Sequence, residues 1–173
     1  MGAKNIEFKA RAADIDRLET KLLELSPRYI GEDIQSDTYF NVGNGRLKLR
    51  EGNIEHALIW YSRPDTTGSK RSDIILYQHQ PDQALKDILE KVNGIKVVVI
   101  KKRKIYFIDN VKFHFDRLEG LGNFVEVEAI DRDGDISEAR LEEQCRNYAA
   151  FFEIKEEDYV QVSYSDMLLN RAE

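Results

Sequence analysis

Charged and apolar residues alternate along four stretches of the chain, with the charged partners recurring at every second position. They are Asn5, Glu7, Lys9 and Arg11; Arg46, Lys48 and Arg50; Lys101 and Arg103; and Asp116 followed by Glu126 and Glu128. In an extended strand, successive side chains point to opposite faces, so Ile6 and Phe8 face one way and Glu7, Lys9 and Arg11 the other. Arginine and lysine cluster on three of these strands and carboxylates on the others. If the charged faces turn toward one another, they enclose basic groups suited to phosphates and carboxylates suited to a divalent metal.

The same patterning predicts eight strands with three main helical interruptions. Residues 4–11 form a strand, and Asp14 caps a helix whose apolar stripe is Ile15, Leu18, Leu22 and Leu25, ended by Ser26-Pro27. Strands over 33–42 and 45–51 are joined through Gly43-Asn44-Gly45, residues that tolerate positive φ, and a further strand covers 55–63. Residues 64–72 have the polar composition of a mobile loop before a strand over 73–80. Pro81-Asp82 opens a helix with Leu85, Ile88, Leu89 and Val92 on one face, closed by Asn93-Gly94. Strands over 95–108, 111–118 and 123–130 follow, then a helix to about 153 with Asp135 and Glu138 as a capping box. Ser163 to Asp166 caps a short final helix.

Composition narrows the setting. The 173 residues, 42% hydrophobic and 34% charged with only three prolines, suit one α+β domain spanning residues 1–173 with a sizeable core. A net charge of −6 argues against a general nucleic-acid binder, because binding along a phosphate backbone needs a broad surplus of exposed cations. Any basic site must be local and concave. No apolar stretch approaches the roughly 20 residues that span a bilayer, and the opening MGAKNIEFKA lacks an apolar signal region, so no membrane association and a cytoplasmic location are expected. The one cysteine, Cys145, excludes an internal disulfide and falls on a helical stripe with Leu141, Tyr148 and Phe152.

Short loops favour antiparallel neighbours, and eight strands can close into a barrel without edges. Apolar outer faces would then pack under the helices while the charged face lines the interior; a partly open sheet with an exposed charged face is the alternative that periodicity leaves open. Taken in order, Asn5-Ile-Glu-Phe-Lys9-Ala-Arg11, Gly45-Arg-Leu-Lys-Leu-Arg50, Lys101-Lys-Arg-Lys-Ile-Tyr106 and the run from Phe115 to Glu128 resemble the CYTH superfamily of class IV adenylyl cyclases and triphosphate tunnel metalloenzymes, including thiamine triphosphatases. Tyr61-Ser-Arg63-Pro-Asp and Lys70-Arg-Ser-Asp73 resemble the bacterial and archaeal cyclase-like branch.

The resemblance implies a closed eight-stranded antiparallel tunnel that binds a triphosphate with one or two divalent metals, Mg²⁺ or Mn²⁺. Lys9, Arg11, Lys48, Arg50, Arg63, Lys101 and Arg103 take the phosphate-binding positions; Glu7, Asp116, Glu126 and Glu128 take the metal side. Tyr39 resembles a tyrosine that positions or activates water in hydrolytic relatives, and a catalytic role is expected for it and for Lys101. Fixed cations and metal-bound phosphate oxygens stabilise the charge that moves during phosphoryl transfer. The substrate is a small triphosphate (ATP, thiamine triphosphate or tripolyphosphate), and a homodimer is compatible with this picture. Hydrolysis, cyclisation of ATP and a non-catalytic binding module share these residues.

Two positions depart from the family pattern. Asn5 stands where a glutamate is usual, which removes one negative charge, and Arg63 stands where several relatives use lysine, which makes it a poor proton acceptor. Other chemistry is not expected. His114 and Asp116 share a strand face, but no third ligand stands at a suitable spacing; His56 and His79 suit ordinary strand positions. Residues 131–135 suit a turn and helix cap better than a calcium loop, and Trp60 and Tyr61 suit a core. Alternation sends Lys102 and Lys104 outward. Replacing Arg50 or Arg103 with alanine is accordingly expected to abolish triphosphate binding and spare the fold.

Overall fold

The computed structural model describes residues 3–171. In chain order they form β1 (Ala3–Arg11), α1 (Ile15–Leu23), β2 (Arg28–Phe40), β3 (Arg46–Glu51), β4 (His56–Ser62), β5 (Lys70–Gln78), α2 (Gln83–Asn93), β6 (Ile95–Ile108), β7 (Val111–Leu118), β8 (Gly122–Asp131), α3 (Glu138–Phe151) and α4 (Tyr164–Arg171). The strands close into an antiparallel barrel in the order β1-β5-β4-β3-β2-β6-β7-β8. Closure satisfies the backbone of every strand without leaving an edge.

Local chemistry accounts for most boundaries. The Asp14 carboxylate accepts from Arg17 N at 3.3 Å at the start of α1, and Asp82 accepts from Ala84 N at 2.9 Å before α2. Gly94 takes φ 76°, a left-handed value that stops α2 and turns the chain into β6. The cap of α3 is Ser137, not Asp135: the Asp131 carboxylate collects the backbone N–H groups of Gly134 and Asp135 at 2.9 and 3.1 Å, which places Asp135 in the preceding turn.

The main apolar core lies outside the barrel wall. Phe8 of β1, Phe113 and Phe115 of β7 and Val125 and Val127 of β8 pack beneath Ile15, Leu18 and Leu22 of α1 and Leu141, Cys145 and Ala149 of α3. Cys145 is fully buried and its thiol donates to Ile6 O at 3.2 Å. The expectation that three helices cover the wall fails at α2, which buries no residue and leaves Ile88 and Val92 exposed. Its stripe has the right period, but it bridges β5 and β6 and makes only slight contact with β2.

Two strands start earlier than expected. β2 begins immediately after Pro27, and β5 begins at Lys70 inside the stretch predicted to be loop. Lys70 and Ser72 are polar because they face inward, opposite Glu7 and Asn5 of β1, and Lys70 donates to Gln161 O at 2.6 Å. A polar composition here marks the lining of a chamber, not a solvated loop.

Candidate functional site

The inner face of the barrel is charged and enclosed. A cavity of about 120 Å³ is lined by seven cations (Lys9, Lys48, Arg50, Arg63, Lys101, Arg103 and Lys112) and five carboxylates (Glu7, Asp37, Glu55, Glu126 and Glu128). A larger cleft of about 460 Å³ lies outside the barrel near Arg71, Asp131 and Glu138, without a comparable convergence of charge. Strand alternation supplies most of the interior groups and cross-strand register brings them together: Tyr39 opposes Lys48, Asp37 opposes Arg50, and Lys9 opposes Glu126.

One carboxylate organises the basic side. Asp37 accepts from Arg50 Nε and Nη2 at 2.9 and 2.8 Å and from Lys101 Nζ at 2.8 Å, with Lys48 Nζ at 3.5 Å. Burial pushes the Asp37 pKa up, but Arg50, Lys101 and Lys48 outweigh it and hold the carboxyl well below its usual range. Three cations thus converge on Asp37, with only Arg50 also reaching Glu55 at 3.3 Å, and the excess positive charge is an attractive field for an incoming anion. Burial is also the largest influence on Lys101; Asp37 opposes it, but Arg103, Arg50 and Lys48 add to it, bringing the ammonium down to about 7. Burial and then Asp37 push Tyr39 up to about 12, so its hydroxyl, 3.5 Å from that of Tyr61, stays neutral. A neutral phenol can donate or accept a hydrogen bond but cannot take a proton from water.

The acidic side lies across β1, β7 and β8. Glu126 Oε2 is 3.5 Å from Arg103 Nη2, 4.0 Å from Lys9 Nζ and 3.7 Å from His114 Nδ1. Glu7 is ion-paired with Arg63. Burial raises Glu126, but the cations Lys9 and Arg103 hold it well below its usual range; burial, then Glu126 and Glu7, push Glu128 up to about 8. Glu128 therefore keeps a proton at neutral pH, and a metal that binds its carboxylate must displace that proton. Calorimetric titration with Mn²⁺ in buffers of differing ionisation enthalpy should show release of about one proton near pH 7 and little well above pH 8, with Glu128→Gln removing the difference. Metal uptake near pH 7 without proton release would contradict this assignment.

Most expected residues converge; two do not. Arg11 shares the strand face of Glu7 and Lys9 but is exposed beyond the chamber, its guanidinium over the Phe124 ring and donating to Leu121 O at 3.4 Å. Asp116, assigned to the metal side, accepts from Arg103 Nε and Nη2 at 2.7 Å each and from the Tyr164 hydroxyl at 2.7 Å, so both oxygens are committed to other partners. Asn5 is buried but does not line the cavity. Trp60 is half-buried and donates to Asn44 O at 3.0 Å, whereas Tyr61 forms part of the chamber wall.

Several lining residues escaped the sequence reading. Asp37 and Lys112 were available from alternation with Tyr39 and His114, and Glu55, which joins Arg50 and Lys112 at 3.3 and 2.7 Å, from alternation with Ile59, Tyr61 and Arg63. Tyr164 arrives from the far end of the chain. Val160 N donates to Lys9 O at 2.9 Å, tying this segment to β1, and α4 then places the Tyr164 ring inside the barrel with the Lys9 ammonium 3.6 Å from its centroid. His114, passed over as a ligand, faces Glu126 across the β7–β8 pairing.

Comparison with known proteins agrees with this architecture. A solved structure from Vibrio parahaemolyticus, described as a candidate adenylate cyclase, superposes with a TM-score of 0.79 over 95% of this chain and 97% of its own at 20% identity, a match of fold. A candidate adenylate cyclase of Methanocaldococcus jannaschii is 25% identical over 94% of this chain and 97% of its own length. Adenylate cyclase CyaB of Aeromonas hydrophila is 28% identical over 76% of this chain and 72% of its own. The model of the CYTH domain matches residues 3–164, nearly the whole barrel with its charged interior, and the chain therefore belongs to the CYTH domain family.

Proposed function

We propose that this chain is a metal-dependent enzyme that cleaves a phosphoanhydride bond of a small triphosphate inside its barrel, as an adenylyl cyclase or a triphosphatase. The observation that carries this reading is the buried basic cluster in which Arg50, Lys101 and Lys48 converge on Asp37, with Glu55 reaching Arg50 alone of the three. A triphosphate carries about four negative charges, and each phosphate oxygen that enters replaces water with a preorganised donor. Names borne by the family's Aeromonas and Methanocaldococcus members support the cyclase reaction for this chain.

The acidic side fits a divalent ion: Glu126 and Glu128 project beside His114, whose two buried ring nitrogens have no hydrogen-bond partner. Mg²⁺ or Mn²⁺ held there would neutralise phosphate charge as the anhydride bond breaks. The chain's own groups do the rest. Arg50 and Arg103 orient the phosphates, and buttressing by Asp37 and Asp116 fixes their planar forks in place. Lys101, brought down to about 7, can accept the proton of the attacking hydroxyl, which is water in hydrolysis and the ribose 3′-hydroxyl in cyclisation. No helix among the described residues is long and apolar enough to cross a membrane. Together with the single unpaired cysteine, that fits a cytoplasmic setting.

Incubation of pure protein with ATP, thiamine triphosphate or tripolyphosphate, each with Mg²⁺ or Mn²⁺, tests the reading. Cyclic AMP with pyrophosphate identifies the cyclase, and orthophosphate the triphosphatase. A triphosphate at 100 times its dissociation constant should also add about 2.7 kcal/mol to stability by mass action. Tight binding without any product would leave a binding module in place of an enzyme.

A further inference from the structure

His114 lines the chamber among the carboxylates of the acidic side. It is 1% exposed, and neither ring nitrogen has a hydrogen-bond partner. An imidazole N–H buried without an acceptor costs about 1–3 kcal/mol, so a fold keeps such a group only where something else engages it. Its Nδ1 lies 3.7 Å from Glu126 Oε2 and 3.7 Å from Glu128 Oε1, too far for hydrogen bonds. The ligand atoms of all three residues lie within 4.8 Å of one another.

That spacing is what a cation between them would need. With bonds of about 2.1 Å, neighbouring donors of an octahedral ion stand about 3.0 Å apart, so the three donors need only draw somewhat closer together to close around an ion. Asp116, the other inward acid of β7, is held by Arg103 and Tyr164, which leaves His114 as the β7 donor facing the two glutamates. Mg²⁺ favours an all-oxygen shell, whereas imidazole nitrogen suits first-row transition ions.

We propose that His114 Nδ1, Glu126 and Glu128 form a one-nitrogen, two-carboxylate site that selects a first-row transition-metal dication, Mn²⁺ or Co²⁺, over Mg²⁺. This rests on the chamber taking a metal beside its triphosphate, and it gives the metal's identity a structural cause.

The test needs no catalytic turnover. Protein carrying ¹⁵N-labelled histidine is loaded with Mn²⁺ and studied by pulsed electron paramagnetic resonance. Nitrogen coupling that shifts with the label is expected, and His114→Gln should abolish it. The chain has only three histidines, and His56 and His79 do not line the chamber, so the labelled signal identifies the ligand even if His114→Gln folds poorly. In direct titrations His114→Gln should weaken Mn²⁺ and Co²⁺ binding about 10–100-fold and change Mg²⁺ binding far less. Bound Mn²⁺ without histidine coupling, or equal losses for Mg²⁺ and Mn²⁺, would overturn the proposal. A thermal shift of metal-free protein with tripolyphosphate reports the phosphate site separately: if that shift persists while the coupling is absent, the metal assignment alone has failed.

Discussion

Arg103→Ala is expected to lose triphosphate binding and also about 3–5 kcal/mol of stability, the usual cost of removing one partner of a buried ion pair. The second loss follows from what Arg103 leaves behind. Asp116 is fully buried and accepts two hydrogen bonds of 2.7 Å from this guanidinium, and Glu126 Oε2 lies 3.5 Å from it. Without Arg103, the Asp116 charge keeps only the Tyr164 hydroxyl. The expectation that alanine here spares the fold treats the arginine as a bare ligand, whereas the structure makes it half of a buried pair. Urea denaturation and a tripolyphosphate thermal shift separate the two roles. Arg103→Ala combined with Asp116→Asn should recover part of the stability and none of the binding. Lys102→Ala, on the outer face of the same strand, should change stability by no more than about 0.5 kcal/mol. Wild-type stability in Arg103→Ala would refute the buried-pair account.

Lys101→Met is expected to lower kcat by about 10²–10⁴, the usual contribution of a positioned proton acceptor, and to flatten the pH–rate profile. Burial brings the free lysine down to about 7, so the neutral, accepting form grows as pH rises through 7 and the wild-type rate should climb and then level off. Stability has its own sign. Between about 7 and the ordinary 10.5 of lysine, the unfolded chain binds more protons than the folded one, so this residue makes folding more favourable as pH rises across that window. Below it, the fold bears the cost of a buried cation. Lys101→Met should therefore gain most relative to wild type below pH 7, as read from denaturation midpoints across pH. A variant with full kcat or an unaltered pH profile would remove Lys101 from the proton transfer.

The strand content and much of the site were legible because strand periodicity is local. Glu7 and Lys9, Lys48 and Arg50, Lys101 and Arg103, and Glu126 and Glu128 each lie two residues apart, which places each pair on one face before any pairing is known. The same rule, taken one strand further, would have added Asp37 and Lys112. Polar composition misled at β5, where Lys70 and Ser72 face a chamber instead of solvent. The amphipathic stripe of α2 misled in the opposite direction, since a periodic apolar face does not specify what, if anything, covers it.

What the sequence determined by itself is the alternation of side chains within each strand, because that depends only on backbone geometry and residue order. Which alternating faces meet was settled by tertiary structure. Pairing of β2 with β3 on one side and β6 on the other put Asp37 between Arg50 and Lys101, β7–β8 pairing set His114 against Glu126, and the return of the C-terminal segment across β1 carried Tyr164 to Asp116 and Lys9. These partners lie 13 to 155 residues apart except for His114 and Glu126, which meet through register across a turn. Burial of the assembled wall then moved Lys101 and Glu128 toward neutral pH, a property of the shared enclosure that neither residue type carries alone.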